Sequence, residues 1–352
     1  MQEVKGKYIR VKLPDNLKSI EWRKSDNQTK ISALLKLFNK EREKNQVFVF
    51  VDEGTFIANS NAKFAIGTST AKIGDVSFET KELSLFIFEN SDVFLIFGEN
   101  RTDYVSSISI TVESGLSLNL FELWNTPQQS SSFNITKISL KPSSSLKLLF
   151  LENTEESSLV VQKKIFFISE NSDMYGGNIW KGLGKTLVSQ EVYLDGDDSS
   201  LRDFHLCLGE GKKKLEVNYK VFHRGKRTKS FLSSRIILKD ASEIAFLEDA
   251  EIENSAVDSD SYVEGKSLIL SEKAKNFLIP SMNIGTNIVK AKHSASCSRV
   301  GERELFYLMS RGLDRETAEK LIIYGFISEI LNEFPLKHFI PKLPDFPQDV
   351  LL

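Results

Sequence analysis

The sequence predicts a mainly β protein built of many short strands, with a helical segment at each end. Three observations carry this. Runs of β-forming residues recur from about Val47 to Val289, each closed by a polar cluster of Ser, Asn, Asp, Gly or Glu. No ten-residue helical pattern alternates with these runs, which argues against a doubly wound α/β sheet. Helical spacing is confined to the two ends.

Taken in order, residues 1–45 are charged and hold one short predicted helix, Lys30 to Glu43, in which Ile31, Leu34, Leu35, Leu37 and Phe38 repeat at near-helical spacing. Residues 46–290 form the β region. Its clearest strands are Val47–Val51, Leu83–Phe88, Val93–Phe97, Ser107–Val112, Leu159–Ile168, Leu187–Leu194, Leu215–Phe222 and Arg235–Leu238. Glu89–Asp92, Ser143–Ser145 and Asp195–Ser200 read as turns between them. A sandwich, a barrel and a solenoid all remain open on this pattern, and no strict repeat is visible. Stacked coils fit somewhat better than hairpins, because Asp195-Gly196 is the one type I′ turn signal. One loose unit also points that way: Ser233–Leu238, Lys239-Asp240-Ala241, Glu243–Leu247, then Glu248-Asp249-Ala250 as an acidic corner.

Residues 291–352 form the C-terminal helical region. Glu302 to Arg311 is a short helix stopped by Gly312, which suits the left-handed position past a helix end. Asp314 can cap a second helix that runs to about Phe334 and stops at Pro335. Within it Leu321-Ile322-Ile323-Tyr324-Gly325-Phe326-Ile327 carries no charge for almost two turns, so burial is expected on more than one side. The tail from Pro341 holds three prolines and is expected to be extended.

Charge and chemistry narrow the function. The 352 residues hold 46 basic and 48 acidic side chains, a net charge of -2, which gives no excess of cations for a nucleic-acid or anionic-membrane partner. Two cysteines, Cys207 and Cys297, cannot complete a four-ligand metal centre and fit a reduced, cytoplasmic setting. No segment has the ~18 uncharged apolar residues needed to span a bilayer, and Met1–Arg10 has no apolar signal core. Gly182-Leu183-Gly184-Lys185-Thr186 ends like a phosphate loop, but Ile179 stands where the first glycine belongs, so the glycines are assigned to turns. Asp195, Asp197 and Ser199 begin like a calcium loop, yet Ser200 and Leu206 fail its sixth and twelfth positions. The acidic group Glu248, Asp249, Glu251 and Glu253, which a solenoid carbohydrate-active enzyme would need on one face, alternates with Ala250 and Ile252 and reads as a solvated strand face.

One stretch is distinctive: Lys292-His293-Ser294-Ala295-Ser296-Cys297-Ser298-Arg299-Val300-Gly301-Glu302, followed by Leu305-Phe306-Tyr307-Leu308-Met309-Ser310-Arg311-Gly312-Leu313. It resembles the C-terminal signature of the SufB/SufD family of iron-sulfur cluster assembly proteins. Ala318, Leu321-Ile322-Ile323, Gly325-Phe326 and Glu329 continue the likeness. Upstream, His223 with Thr228 and Ser230, Asp258-Ser259-Asp260-Ser261, Leu268-Ile269-Leu270-Ser271 and Glu21-Trp22-Arg23 resemble further family elements.

The resemblance implies a right-handed parallel β-helix and a scaffold subunit that is not an enzyme. It implies a SufB-type subunit as partner, or a second copy of the chain in a homodimeric SufB-type arrangement, and a SufC-type ATPase docked on the C-terminal helices. Phe306, Tyr307, Arg311, Leu321 and Phe326 are then the candidate docking residues. His293 matches the histidine placed at the subunit interface and is the candidate ligand of a transient iron-sulfur cluster, with no cofactor stably bound. Cys297 is a weaker metal candidate, since the family usually has Val or Thr there and a small buried hydrophobe is the plainer expectation. Cys207, in an alternating run with Phe204, Leu206 and Leu208, is expected to be buried. Ser294 replaces the Glu that follows the motif His in SufB, and no cysteine stands near Gly265, where SufB carries its ligand. Both favour a SufD role. Ser298-Arg299-Val300-Gly301-Glu302 leans the other way, toward SufB.

Overall fold

The computed structural model describes residues 103–335 throughout, 63–97 except 74 and 75, and the strand segments 3–5, 10–12, 18–19, 46–52 and 55–58. The helix expected over Lys30–Glu43, Glu21-Trp22-Arg23 and the tail from Pro341 lie outside these residues.

Among the described residues the strands run in chain order: β1 (Glu3–Lys5), β2 (Arg10–Lys12), β3 (Lys18–Ser19), β4 (Gln46–Asp52), β5 (Thr55–Ala58), β6 (Phe64–Ile73), β7 (Val76–Ile87), β8 (Ser91–Phe97), β9 (Tyr104–Val112), β10 (Ser117–Thr126), β11 (Ser131–Leu140), β12 (Ser145–Thr154), β13 (Leu159–Ile168), β14 (Asp173–Trp180), β15 (Lys185–Leu194), β16 (Ser200–Gly209), β17 (Lys214–His223), β18 (Lys229–Leu238), β19 (Glu243–Ile252), β20 (Ser259–Ile269), β21 (Lys275–Ile284) and β22 (Val289–Arg299). From β7 onward they alternate between two sheets. Even-numbered strands pair in parallel from β8 to β22, and odd-numbered strands from β7 to β21. The molecule is therefore a parallel β-solenoid of about eight turns, with two helices at its C-terminal end.

The corners explain why a repeat exists without being obvious in the letters. Ser144, Ser172, Ser199, Thr228 and Ser259 occupy the same corner of successive coils, and all are buried. Ser144, Ser199 and Thr228 each donate to the carbonyl three residues back, which closes the turn locally. The residue just before each of them is left-handed: Ser143, Asn171, Asp198, Arg227 and Asp258 all have φ between 53° and 62°. Only one of these is Asn and none is Gly, so turn signals based on those residues pass over most corners. At Asp195-Gly196 the left-handed residue is Asp198, not Gly196. Gly196 is needed because a Cβ there would stand 1.9 Å from the Glu170 amide nitrogen of the coil below. The acidic corner expected at Glu248-Asp249-Ala250 is instead strand, since β19 continues to Ile252.

Between the sheets lies one long core, made by side chains such as Leu120, Trp124, Phe150, Phe166, Trp180, Val192, Tyr219 and Phe246. The Trp124 indole stacks on Phe97 with centroids 3.7 Å apart. A second apolar layer covers the outer face of the even sheet. Helix α1 (Glu302–Ser310) leads into α2 (Arg315–Glu333), whose Ile327 and Ile330, with Phe334 just beyond, pack on Phe94, Phe121, Leu149, Ile179, Phe204 and Ile237. Asp314 caps α2 by accepting from the Thr317 amide at 2.9 Å, and Gly312, at φ 96°, makes the turn between the helices. Gly177 lets the end of α2 settle: a Cβ there would meet Pro335 Cδ at 2.8 Å. Arg235, buried under the helix, reaches Glu329 at 3.1 Å, and Arg202 approaches Glu333 at 3.4 Å.

Candidate functional site

The solenoid finishes on an open rung. The ladder does not stop near residue 290, because β22 continues in register with β20 as far as Arg299. Among the described residues no strand pairs with the outer edge of β22, which leaves a row of backbone donors and acceptors available along eleven residues. The neighbouring end strand, β21, shows Phe277, Leu278, Ile279, Pro280 and Met282 half-buried, and Ile284 and Ile288 are exposed beside them. The β19 partners of these β21 residues, Ala245, Phe246, Leu247, Glu248, Ala250 and Ile252, are all buried.

His293 lies on β22 opposite Val263, on the face that continues the core ladder Asp203, Leu232, Val263. It is exposed. Cys297 sits on the same face, continuing the ladder Cys207, Ile236, Ser267. Expected to be a small buried hydrophobe, it is exposed and unpaired because β22 is the last rung of its sheet. Four residues of extended chain separate His293 from Cys297 by about 13 Å. The structure therefore does not bring them together around one ion, and among the described residues no cluster of three or more His, Cys, Asp or Glu side chains is placed to hold a metal.

Next to this end, the helix pair presents apolar side chains outward. Phe306 is 74% exposed, and Tyr307, Met309, Leu321 and Tyr324 are exposed as well. The Arg311 guanidinium lies over the Tyr307 ring, 5.3 Å from its centroid. The all-round burial expected of Leu321–Ile327 is met on one side only: Ile327 is core, while Leu321 and Tyr324 face outward. Phe326 divides its surface, half-buried beside the Arg235 guanidinium and against the second apolar layer.

Other residues singled out in the sequence have structural roles. His223 is buried in a corner, with Nδ1 2.8 Å from Thr228 Oγ1 and Nε2 2.8 Å from Ser230 Oγ, and burial lowers its pKa to about 4. Thr228 and Ser230 bond on to Ser259 and Ser261, which gathers the spaced His, Thr and Ser into one stack across two coils. Cys207 is buried as expected, and burial pushes its thiol well above the usual range. The glycines near Lys185 do serve a turn: the Gly182 amide, the Thr186 hydroxyl and the Lys213 ammonium all donate to the buried Glu152 carboxylate, at 3.1, 3.1 and 3.0 Å. The acidic group on β19 does not share one face. Asp249 and Glu251 point outward, whereas Glu248 lies inside the solenoid, 1% exposed.

The fold and its end define the class as a parallel two-sheet β-solenoid whose last described strand has an unpaired outer edge, with an apolar helical pair following it. The family model described as "SUF system FeS cluster assembly, SufBD core domain" matches residues 94–326, so the chain belongs to the SufBD family of the SUF iron-sulfur cluster assembly system. The iron-sulfur cluster assembly protein SufD of Bacillus subtilis is similar, 32% identical over 154 residues, which cover 44% of this chain and 35% of that protein. A SufBD family iron-sulfur cluster assembly protein of Pyrococcus horikoshii is 22% identical over 286 residues, covering 79% of this chain and 64% of its own length. One of Antithamnion sp. is 30% identical over 177 residues, covering 50% and 60%. The matches thus span about a third to two thirds of the length of these relatives. No helix among the described residues is long and apolar enough to cross a membrane.

Proposed function

We propose that the chain is a SufD-like scaffold subunit of SUF iron-sulfur cluster assembly, acting without catalysis of its own in the cytoplasm. The observation that carries this is the open last rung. An eleven-residue edge strand beside half-buried apolar side chains has the chemistry of a strand-to-strand joint with another solenoid. A SufB-type subunit is the proposed occupant of that joint, and a second copy of this chain is the alternative, favoured by the Ser298-Arg299-Val300-Gly301-Glu302 segment. The exposed Phe306, Tyr307, Leu321 and Tyr324 support docking of a SufC-type ATPase on the helices, with Arg311 and the outer surface of Phe326 at its margin.

His293, exposed on the face that would continue into the partner's core, is the proposed donor to a nascent cluster, and Cys297 a subsidiary thiolate on the same face. Two donors about 13 Å apart cannot close a site alone, which makes the proposed cluster a shared cargo, released after assembly. Purification of the chain with SufB-type and SufC-type proteins, separately and together, tests the arrangement. A stable complex with both supports it; a chain that stays indifferent to both overturns it. Cluster assembly in the reconstituted complex should fall with His293→Ala, and undiminished assembly removes His293 from this role.

A further inference from the structure

The coils near the open end alternate in charge. Each runs from the first residue of an odd strand to the last residue of the even strand after it. Residues 185–209 hold five carboxylates and two cations, 214–238 one carboxylate and seven cations, 243–269 eight carboxylates and one cation, and 275–299 four cations with no carboxylate. The chain as a whole is almost balanced, so this ordering is not a by-product of composition. Neighbouring coils make use of it. Arg224 reaches back to Asp195 of the coil before and on to Glu253 of the coil after, both at 3.0 Å. Arg227 reaches back to Asp198 at 2.6 Å, and Lys214 on to Glu243 at 3.0 Å. Opposite charges on adjacent strands attract and like charges directly opposite repel, so a coil of one sign suits a neighbour of the other.

At the open end the alternation stops on a positive coil. Lys290, Lys292 and Arg299 are exposed on β22, and among the described residues none of the three has a carboxylate within ion-pair distance. Lys290 and Lys292, two residues apart, share the face that continues Asp260 and Tyr262 of β20. A strand added to the bare edge lies about 4.8 Å away, well inside the Debye length of about 8 Å at physiological salt, so it meets these charges unscreened. A second copy of this chain brings no complement to them. β22 contains no Asp or Glu, and in every register of a β22–β22 pair its cations face only neutral or cationic residues.

We propose, resting on the strand-to-strand joint put forward above, that the open rung takes an acidic edge strand of a different chain, with carboxylates at the positions beside Lys290 and Lys292, and that it rejects a second copy of this chain. The occupant supplies the negative coil that the alternation calls for next. Lys290 and Lys292 choose the partner, while the half-buried apolar side chains of β21 add contact area without choosing it.

The test uses the full chain as its own probe. Lys290→Glu, Lys292→Glu and Arg299→Glu together give a chain with the same apolar end and an acidic edge, and all three positions are exposed. In sedimentation at about 0.1 M salt an equimolar mixture of altered and unaltered chains should run as a dimer while the unaltered chain alone stays monomeric. At about 1 M salt, where the Debye length shrinks to about 3 Å, the mixed dimer should be lost. Dimerisation of the unaltered chain at the lower salt, or a mixture that stays monomeric there, overturns the proposal. If the triple variant fails to fold, Lys290→Glu with Lys292→Glu replaces it, with the same outcomes. A complex with a SufB-type protein that is unmoved both by salt and by that double change overturns the charge preference and leaves the joint standing. A chain indifferent to that protein at about 0.1 M salt overturns the joint itself.

Discussion

Replacing Glu248 by Gln should remove a large pH dependence of stability. Burial raises this carboxyl from 4.5 to about 8 in the folded chain, whereas the unfolded chain releases the proton near 4.5. Between those limits the unfolded state binds fewer protons than the folded one, so stability falls as pH rises. At 1.36 kcal/mol per unit the loss amounts to about 3 kcal/mol at pH 7 and about 5 kcal/mol by pH 8, where it levels off. The groups facing Glu248 do not confuse the measurement. Tyr219 and Cys207 are both pushed well above their usual ranges by burial, and Glu264, although partly buried, is held low by Lys266 and Arg235. Gln keeps the shape of the side chain and does not titrate. Urea unfolding of both proteins between pH 5 and 9 gives the difference directly. That difference should grow in favour of Glu248→Gln by about 1.4 kcal/mol per pH unit and flatten above about pH 8. A difference that stays constant across the range would falsify the assignment of Glu248 as a buried neutral acid.

Further predictions concern the helical end. Gly177→Val should lift Pro335 and Phe334 from the even sheet and cost about 1–3 kcal/mol, read from denaturant midpoints. Asp314→Ala should cost about 1 kcal/mol and speed amide exchange in the first turn of α2 before it affects the solenoid strands. Leu321→Asp should change stability by less than about 0.5 kcal/mol, since the side chain is exposed, while abolishing capture of a SufC-type ATPase; retained capture would count against the docking surface. Phe326→Asp should affect both measurements, because half of that ring packs under the helix beside Arg235.

The broad architecture was legible because β-type spacing and the lack of alternating helices are strong local signals. Gly312, Asp314 and Pro335 fixed the helical pair for the same reason, each acting through its own backbone or cap chemistry. The coil repeat was hidden. It is written in buried corner residues, Ser144, Ser172, Ser199, Thr228 and Ser259, spaced 27 to 31 apart in strand register, and Ser and Thr are too common in turns elsewhere to stand out. The burial of Glu248 was equally invisible. Acidic residues in a run suggest solvent, and only the pairing of Glu248 with Tyr219, itself inside the coil, turns that side chain inward. For the candidate site, the motif around His293 was readable, but the exposure of Cys297 depends on β22 having no neighbour, which is a property of the stack and not of the residues near it.

A solenoid whose rungs pair with segments some thirty residues away is made in the order in which it is translated. Each coil offers the next a finished template, so β10 can settle on β8 while later coils are still being synthesised. β22 is laid down last of the described strands, and its outer edge comes into being only after the coils beneath it have been made. Lys290, Lys292 and Arg299 on that strand place positive charge along the edge, the kind of charge that discourages sticking between like edges of nascent chains.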